Sequence, residues 1–432
     1  NKDLVIGCVS CVLWTLTIQT TIKYVLITLN ADNKGEGGIL SLYSLVRRKA
    51  KWLIIPAIVG ASTLLADGMI TPAITISSAI EGLAIFNPDI PTVPIVIAII
   101  SCLFLIQRFG TSIVGRVFGP LMLVWFSVIG ILGFNAIDHA PEILKAINPY
   151  YALQTIIHYP NALFIIGAIF LCTTGAEALY SDMGHCGKDN IRVSWIFVKL
   201  TLILNYFGQG AWLIAHDGQS IGEMNPFYSI MPEWFLVYGI AIATIAAVIA
   251  SQAMITGSFT LISEAVRLNI WPKVSIRYPS NQKGQLYVPS INLILFIGCM
   301  LIIFVFEKSS NMEAAYGLAI NLTFLSTTIL MIFFMLRRRI NKLLIGVFAV
   351  VYFTIEVTFL FGNGVKITHG GWLTLLLAAS IFIIMYAWFR ARKIKNEFVR
   401  FVAIDEYFPI IDELNKDRSV PTFASQLVYL TS

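Results

Sequence analysis

The sequence has 432 residues, of which 57% are hydrophobic and only 12% are charged, and its mean hydropathy is +0.79. Soluble domains carry about 25% charged residues, so this composition excludes a soluble domain and indicates a polytopic helical membrane protein. The net charge of +6 is a signal of membrane topology rather than of nucleic-acid binding. The six cysteines show neither paired nor metal-ligand spacing and are interpreted as small apolar residues.

Eleven apolar runs have about the length of a bilayer-spanning helix. We predict spans at residues 4–29, 52–83, 92–107, 118–137, 161–180, 193–215, 235–262, 288–306, 314–336, 343–361 and 371–389. The second run is about 48 Å long at about 1.5 Å per residue, so we expect it to tilt or to protrude. The predicted fold is all-α and polytopic. Residues 1–389 form its transmembrane domain, and residues 390–432 begin a cytoplasmic tail domain.

Lysine and arginine residues are distributed unevenly over the predicted loops. The loops after the odd-numbered spans hold most of them, and the opposite side holds only Lys2, Lys145, Lys308 and Lys366. By the positive-inside rule the basic side is cytoplasmic, which puts Asn1 outside and the C-terminus inside. Because an external start with no preceding span is unusual, we expect that a first helix is missing from this sequence.

The second span carries carboxylates and hydroxyls on one face. At about 100° per residue, five side chains project within about 120° of one another: Asp67, Thr71, Thr75, Ser78 and Glu81. An ionisable group at bilayer depth costs about 2.5–3.5 kcal/mol on insertion scales, so its presence indicates function. With no basic residue in the stretch, these oxygens could replace the water shell of a cation. The alternative is that the hydroxyls bond to their own helix and hold it against a neighbour.

The fifth span contains a second polar stretch around Thr174, Gly175 and Glu177. Glu177 is a carboxylate in an apolar run, and Gly175 is a natural point at which a helix unwinds. Transporter sites are often formed by such broken helices, so this span is the second candidate for the site. Lys23, near the end of the first span, is expected to extend its ammonium group to the membrane surface.

Several sequence blocks resemble, in the same order, those of the Kup/HAK/KT potassium-uptake family of the amino acid–polyamine–cation superfamily. The resemblance runs along nearly the whole chain. It is carried by Lys23-Tyr24-Val25, Ala31-Asp32-Asn33, Gly35-Glu36-Gly37-Gly38, Asp67-Gly68, Glu81-Gly82-Leu83, Gln107-Arg108-Phe109-Gly110-Thr111, Gly175-Ala176-Glu177-Ala178-Leu179-Tyr180, Asn205-Tyr206-Phe207-Gly208-Gln209-Gly210-Ala211, Ile249-Ala250-Ser251-Gln252-Ala253 and Ala315-Tyr316-Gly317-Leu318-Ala319.

This resemblance implies a twelve-helix transporter with two inverted five-helix repeats and two further helices, which imports K⁺ with protons. Members resembling this chain have a first helix with a Gly-Asp-Ile-Gly-Thr-Ser-Pro-Leu-Tyr motif. The sequence starts just after that helix, so it lacks two site residues of the family. Matched by motif, Thr71, Thr75 and Thr174 would be potassium ligands. Asp67, Glu81 and Glu177 would be the carboxylates linked to ion attraction and proton coupling.

We therefore predict K⁺:H⁺ symport in the inner (plasma) membrane and no enzymatic activity. A carboxylate in a low-dielectric site can take up and release a proton near neutral pH, which would couple the two ions. An amino-acid transporter of the same fold is the first alternative. An intramembrane enzyme is the second, although the sequence has no His-Glu-x-x-His motif. The expected partners are potassium, protons, the lipid bilayer and a second copy of the chain; no cofactor, resident metal or nucleic acid is expected.

Overall fold

The computed structural model describes residues 1–87, 89–109, 112–219, 222, 224–279, 286–398 and 407–416. Within these ranges, eleven helices are long and apolar enough to cross a membrane, which confirms the all-α, polytopic fold class. We name them α1 (Lys2–Asn30), α2 (Lys51–Ile85), α3 (Thr92–Phe109), α4 (Val117–Ile137), α5 (Ala162–Ser181), α6 (Lys188–Ala215), α7 (Glu233–Arg267), α8 (Pro289–Phe306), α9 (Ser309–Arg337), α10 (Lys342–Gly364) and α11 (Gly371–Phe398). Each coincides with one predicted span.

The chain separates into two compact units, Asn1–Trp388 and Phe389–Ser432. In the second unit, the described residues comprise the end of α11 and a short helix at Phe408–Lys416. All of the candidate site residues belong to the first unit.

Helix α2 is the central element of the first unit and is buried along nearly its whole length. It packs against α3, α7, α8 and α9. Its apolar residues surround the helix on all sides, which is typical of a helix inside a bundle. Glycine lets one neighbour approach closely, because a Cβ atom on Gly68 would lie 2.4 Å from the Ser258 Oγ of α7.

Helices α4 and α6 pack closely against each other. A Cβ atom on Gly133 would lie 2.3 Å from the Leu204 carbonyl oxygen, so only glycine fits there. The Asn205 side chain crosses the same interface and donates to the Ile129 carbonyl at 3.1 Å. Small residues and interhelical hydrogen bonds are the usual means of joining helices in lipid.

Helix α1 is irregular, which the sequence did not predict. It is α-helical over Lys2–Thr15, π-helical over Leu16–Ile27 and 3₁₀-helical over Thr28–Asn30. The i→i+5 hydrogen bonds of a π-helix are rare and frequently mark functional sites. In this protein the π-helical segment presents Lys23 and Tyr24 to buried partners on other helices.

Helix α5 is broken in its middle, as the glycine in its polar stretch predicted. It is α-helical over Ala162–Ile169, continues as 3₁₀-helix over Phe170–Thr173, and resumes as α-helix over Ala176–Ser181. Thr174 at the break is extended, with a ψ of 146°, and Gly175 has a φ of +89°. L-residues rarely adopt that φ, which explains glycine at this position.

Candidate functional site

A cavity of about 540 Å³ lies between the middle of α2 and the break in α5. Five oxygen-bearing side chains line its centre: Asp67, Thr71, Thr75, Thr174 and Tyr316. The structure thus brings together four of the six predicted site residues. The three on α2 meet because successive turns of one helix place them on one face.

Each threonine hydroxyl of the cavity uses its single proton on the protein. Thr71 donates to the Asp67 carboxylate at 2.7 Å, and Thr174 donates to the Leu171 carbonyl at 2.8 Å. Thr75 lies 2.6 Å from the Thr71 carbonyl, to which it donates, and 3.2 Å from the Ser251 hydroxyl. A hydroxyl whose proton is already used offers only lone pairs to a further partner, so these groups are suited to a cation.

Tyr316 on α9 is a site residue that the sequence reasoning missed. Its ring is buried, and it lines the cavity together with Thr71 on α2 and Thr174 at the break in α5. The available signal was the Ala315-Tyr316-Gly317 block of the family resemblance. A tyrosine inside an apolar run is otherwise indistinguishable from an ordinary core residue.

A larger cavity of about 700 Å³ shares Thr75, Thr174 and Tyr316 with the first. It extends past Ser78 toward Tyr228, whereas the first cavity extends past Asp182, which follows the end of α5. The shared residues therefore lie where the two cavities meet. Burial raises the pKa of Asp182 to about 7.

Glu177 lies beyond the break, outside the cavity lining, and is buried. Its Oε1 accepts hydrogen bonds from the Tyr24 hydroxyl and, at 2.6 Å, from the Thr327 hydroxyl. Its Oε2 has no hydrogen-bond partner among the described residues. One oxygen of this carboxylate is thus fixed by two donors while the other is free.

Glu81 lies apart from the cavity, at the end of α2. It accepts hydrogen bonds from the Ser309 backbone N–H, at 2.6 Å, and from the Ser309 hydroxyl. Because Ser309 begins α9, the carboxylate satisfies a free donor at the N-terminus of that helix. The structure therefore gives Glu81 a clear role in joining two helices.

Lys23 does not extend to the membrane surface, so that expectation was wrong. Its ammonium group is fully buried and pairs with Glu356 on α10, which is fully buried as well. The sequence reasoning missed Glu356, although it is a carboxylate in an apolar run like Glu177. The buried charge pair explains why the lysine stays inside, since the carboxylate replaces its water.

Comparisons with known proteins identify the family. The family model described as "K+ potassium transporter integral membrane domain" matches residues 1–393. A "Probable potassium transport system protein Kup" of Cytophaga hutchinsonii is 56% identical over 437 residues, covering 100% of this chain and 67% of that protein. A protein of the same name in Clostridium perfringens is 49% identical over 448 residues, covering 100% of this chain and 68% of that protein.

Among solved structures, a manganese transporter mutant of Eremococcus coleocola is similar with a TM-score of 0.46 and 14% sequence identity. The similarity covers 91% of this chain and 93% of that one. The family model and the curated relatives agree over nearly the whole transmembrane part. The chain therefore belongs to the family of K⁺ potassium transporters and not to an enzyme family.

Proposed function

We propose that the protein imports K⁺ through this cavity, in symport with protons. The observation that carries the proposal is the chemistry of the cavity lining. Oxygen atoms from Asp67, Thr71, Thr75, Thr174 and Tyr316 converge there, and among the described residues no lysine, arginine or histidine lines the cavity. Neutral oxygens next to one carboxylate suit a monovalent cation, because they replace its water shell and partly balance its charge.

The potassium assignment is supported by family membership and by the names of the relatives. The alternative, amino-acid transport, would require donors that bind a substrate carboxylate. In the cavity the threonine hydroxyls donate to the protein itself, and the one charged group at its centre is acidic. This arrangement favours a cation over an amino acid.

The proton-coupling part of the proposal is supported by Glu177. The carboxylate is buried three residues after Thr174, so a change in its charge acts directly on the break that helps to form the cavity. Because Oε1 accepts from two hydroxyls and Oε2 has no partner among the described residues, Oε2 is the atom that can carry a proton. Asp67 supplies the negative charge that attracts the cation.

The proposal is tested with the purified protein in liposomes that contain a pH-sensitive dye, with a permeant anion present to dissipate the membrane potential. We expect uptake of ⁸⁶Rb⁺ that excess K⁺ suppresses and amino acids do not, and we expect the lumen to acidify as Rb⁺ enters. Suppression by an amino acid would favour the alternative substrate. Rb⁺ uptake without acidification would contradict symport.

Orientation and assembly are further parts of the proposal. The positive-inside rule puts the end of α11 and the tail in the cytoplasm of a plasma-membrane protein. Protection of a C-terminal tag from protease in intact cells, and its cleavage in inverted vesicles, would support this orientation. The proposed homodimer is tested by light scattering of the detergent-solubilised protein.

A further inference from the structure

The buried pair of Lys23 and Glu356 lies next to Glu177 and is not part of the cavity. The Lys23 ammonium donates to Glu356 Oε1, to the Phe324 carbonyl at 3.1 Å, and to the Tyr24 hydroxyl oxygen at 3.5 Å. A neutral amine has only two N–H protons, so three acceptors require the charged form. The rings of Tyr24 and Phe324, whose centroids lie 4.8 and 4.9 Å from Nζ, favour the same charge.

Glu356 is correspondingly fixed as a carboxylate. Besides Lys23, its Oε1 accepts from the Gln19 amide at 2.8 Å, and the Thr328 hydroxyl lies 3.0 and 2.8 Å from its two oxygens. An ionised carboxylate accepts this many hydrogen bonds, whereas a protonated one would have to donate. The pair is therefore a closed unit in which the two opposite charges neutralise each other.

Tyr24 connects this unit to Glu177. Its hydroxyl receives the Lys23 donor on its oxygen and gives its own proton to Glu177 Oε1. On α9, Thr327 donates to Glu177, and the next residue, Thr328, donates to Glu356. The charged pair thus determines which way the tyrosine hydroxyl points, and the hydroxyl determines which Glu177 oxygen is occupied.

We propose that Lys23, held as an ammonium by Glu356, is a positioning residue for the proton step at Glu177, which rests on the proposed function. It keeps the Tyr24 hydroxyl donating to Oε1, so that the O–H bond of the protonated acid forms and breaks at Oε2. On release, the proton passes to water and the electron pair stays on the carboxylate. The charged and titratable groups around Glu177 are Lys23 and Tyr24 from α1, Glu356 from α10 and Tyr180 from its own helix.

The lysine charge and the tyrosine donor both stabilise the ionised form of Glu177. Removing either should therefore make Glu177 hold its proton to higher pH. The test compares K23M/E356Q, which removes both charges and leaves none unpaired, with Tyr24→Phe, which removes only the hydroxyl. The matched control is K366M/E313Q, which removes another Lys–Glu pair, 2.9 Å apart, on α9 and the segment after α10.

The measurement is the rate of ⁸⁶Rb⁺ uptake into liposomes as a function of pH at a fixed pH gradient. We expect the midpoint of the profile to move upward by about 0.5–1 unit in both test variants, with the KM for Rb⁺ within about twofold. The control should follow the unmodified protein. If the double variant does not fold, as judged by size-exclusion chromatography, Tyr24→Phe decides alone.

An unchanged midpoint in the folded variants would overturn the inference. So would a raised KM without a shift in midpoint, because that would show a purely structural role. Glu177→Gln separates this inference from the proposed function. If Glu177→Gln still couples uptake to protons, the proposed function fails; if it uncouples while the test variants behave normally, only the role of Lys23 fails.

Discussion

Thr71 and Asp67 lie one turn apart on α2 and are joined by a 2.7 Å hydrogen bond in which the threonine is the donor. The bond fixes the orientation of the carboxylate and turns the hydroxyl lone pairs away from it. The two side chains therefore act as one polar unit, and the effects of replacing each should not be additive.

Replacing a cavity threonine by valine should weaken potassium binding. Thr71→Val and Thr174→Val each remove one oxygen at nearly constant volume. We expect the KM for K⁺ to rise about three- to thirtyfold, the effect of losing about 0.7–2 kcal/mol of polar interaction. Thr244→Val is the control, because Thr244 bonds to its own helix away from the cavity. An unchanged KM in both test variants would mean that these hydroxyls only hold helices together.

Neutralising Asp67 should have a larger effect than removing a hydroxyl. Asp67→Asn keeps the shape of the side chain but removes a charge that contributes about 1–4 kcal/mol to a cation about 4 Å away, depending on the local dielectric. We expect cells without other potassium uptake to stop growing at low external K⁺. The control variant is Asp89→Asn, which neutralises an exposed aspartate and should support normal growth. Growth of the Asp67 variant at low K⁺ would show that the cavity does not need this charge.

Glu177→Gln should abolish accumulation driven by the proton gradient. The amide cannot exchange a proton but retains a carbonyl oxygen that can accept from Tyr24 and Thr327. We expect the variant to exchange Rb⁺ across liposomes without acidifying the lumen. Concentrative uptake that still follows an imposed pH gradient would contradict the role of this residue.

The break in α5 should require glycine because of its backbone φ and not because a larger side chain would clash. A Cβ atom on Gly175 would meet nothing within 4 Å, but its φ of +89° is strained for alanine. We expect Gly175→Ala to destabilise the protein by about 1–2 kcal/mol and to reduce uptake. Gly346→Ala adds the same methyl group without contacts at an exposed position of α10 and should be neutral or stabilising. Equal melting temperatures for the two variants would contradict this explanation.

The stability of the folded protein should depend on pH because of the titration of Asp182. Burial raises its pKa to about 7 in the folded protein, whereas the unfolded value is the ordinary one of about 3.8. The folded state therefore binds more protons between these values, and stability falls as the pH rises through that window. We expect Asp182→Asn to melt at a higher temperature than the unmodified protein at pH 8, and the difference to shrink toward pH 4. A difference that does not change with pH would contradict the assignment.

Local geometry explains what the sequence could predict. The meeting of Asp67, Thr71 and Thr75 follows from the period of a single helix, and the break follows from one glycine in a polar stretch. The same angular argument included Glu81 but could not show that its carboxylate lies near the end of α2, apart from the cavity, and binds the start of another helix. The angular position of a side chain around its helix shows which way it points, but not which part of the protein it reaches.

Contacts between distant parts of the chain explain what was missed. Lys23 and Glu356 are 333 residues apart, and each alone is only a charge in an apolar run. Their pairing depends on the packing of α1 against α10 and on the π-helical segment, and neither leaves a periodic signal in the sequence. Tyr316 was missed because an aromatic residue in a span fits the core as well as a site.

Helices α2 and α9 are connected at two distant places. Glu81 holds the start of α9, and 18 residues earlier in the chain, about 27 Å along the helix, the hydroxyls of Thr63 and Thr323 lie 2.7 Å apart. Two such contacts resist both the sliding of α2 along α9 and the separation of the two helices. The wall that carries Thr71 and Tyr316 is accordingly the stiff side of the cavity. The movement of a transport cycle would then come from the opposite side of the cavity, where the halves of α5 meet at the break.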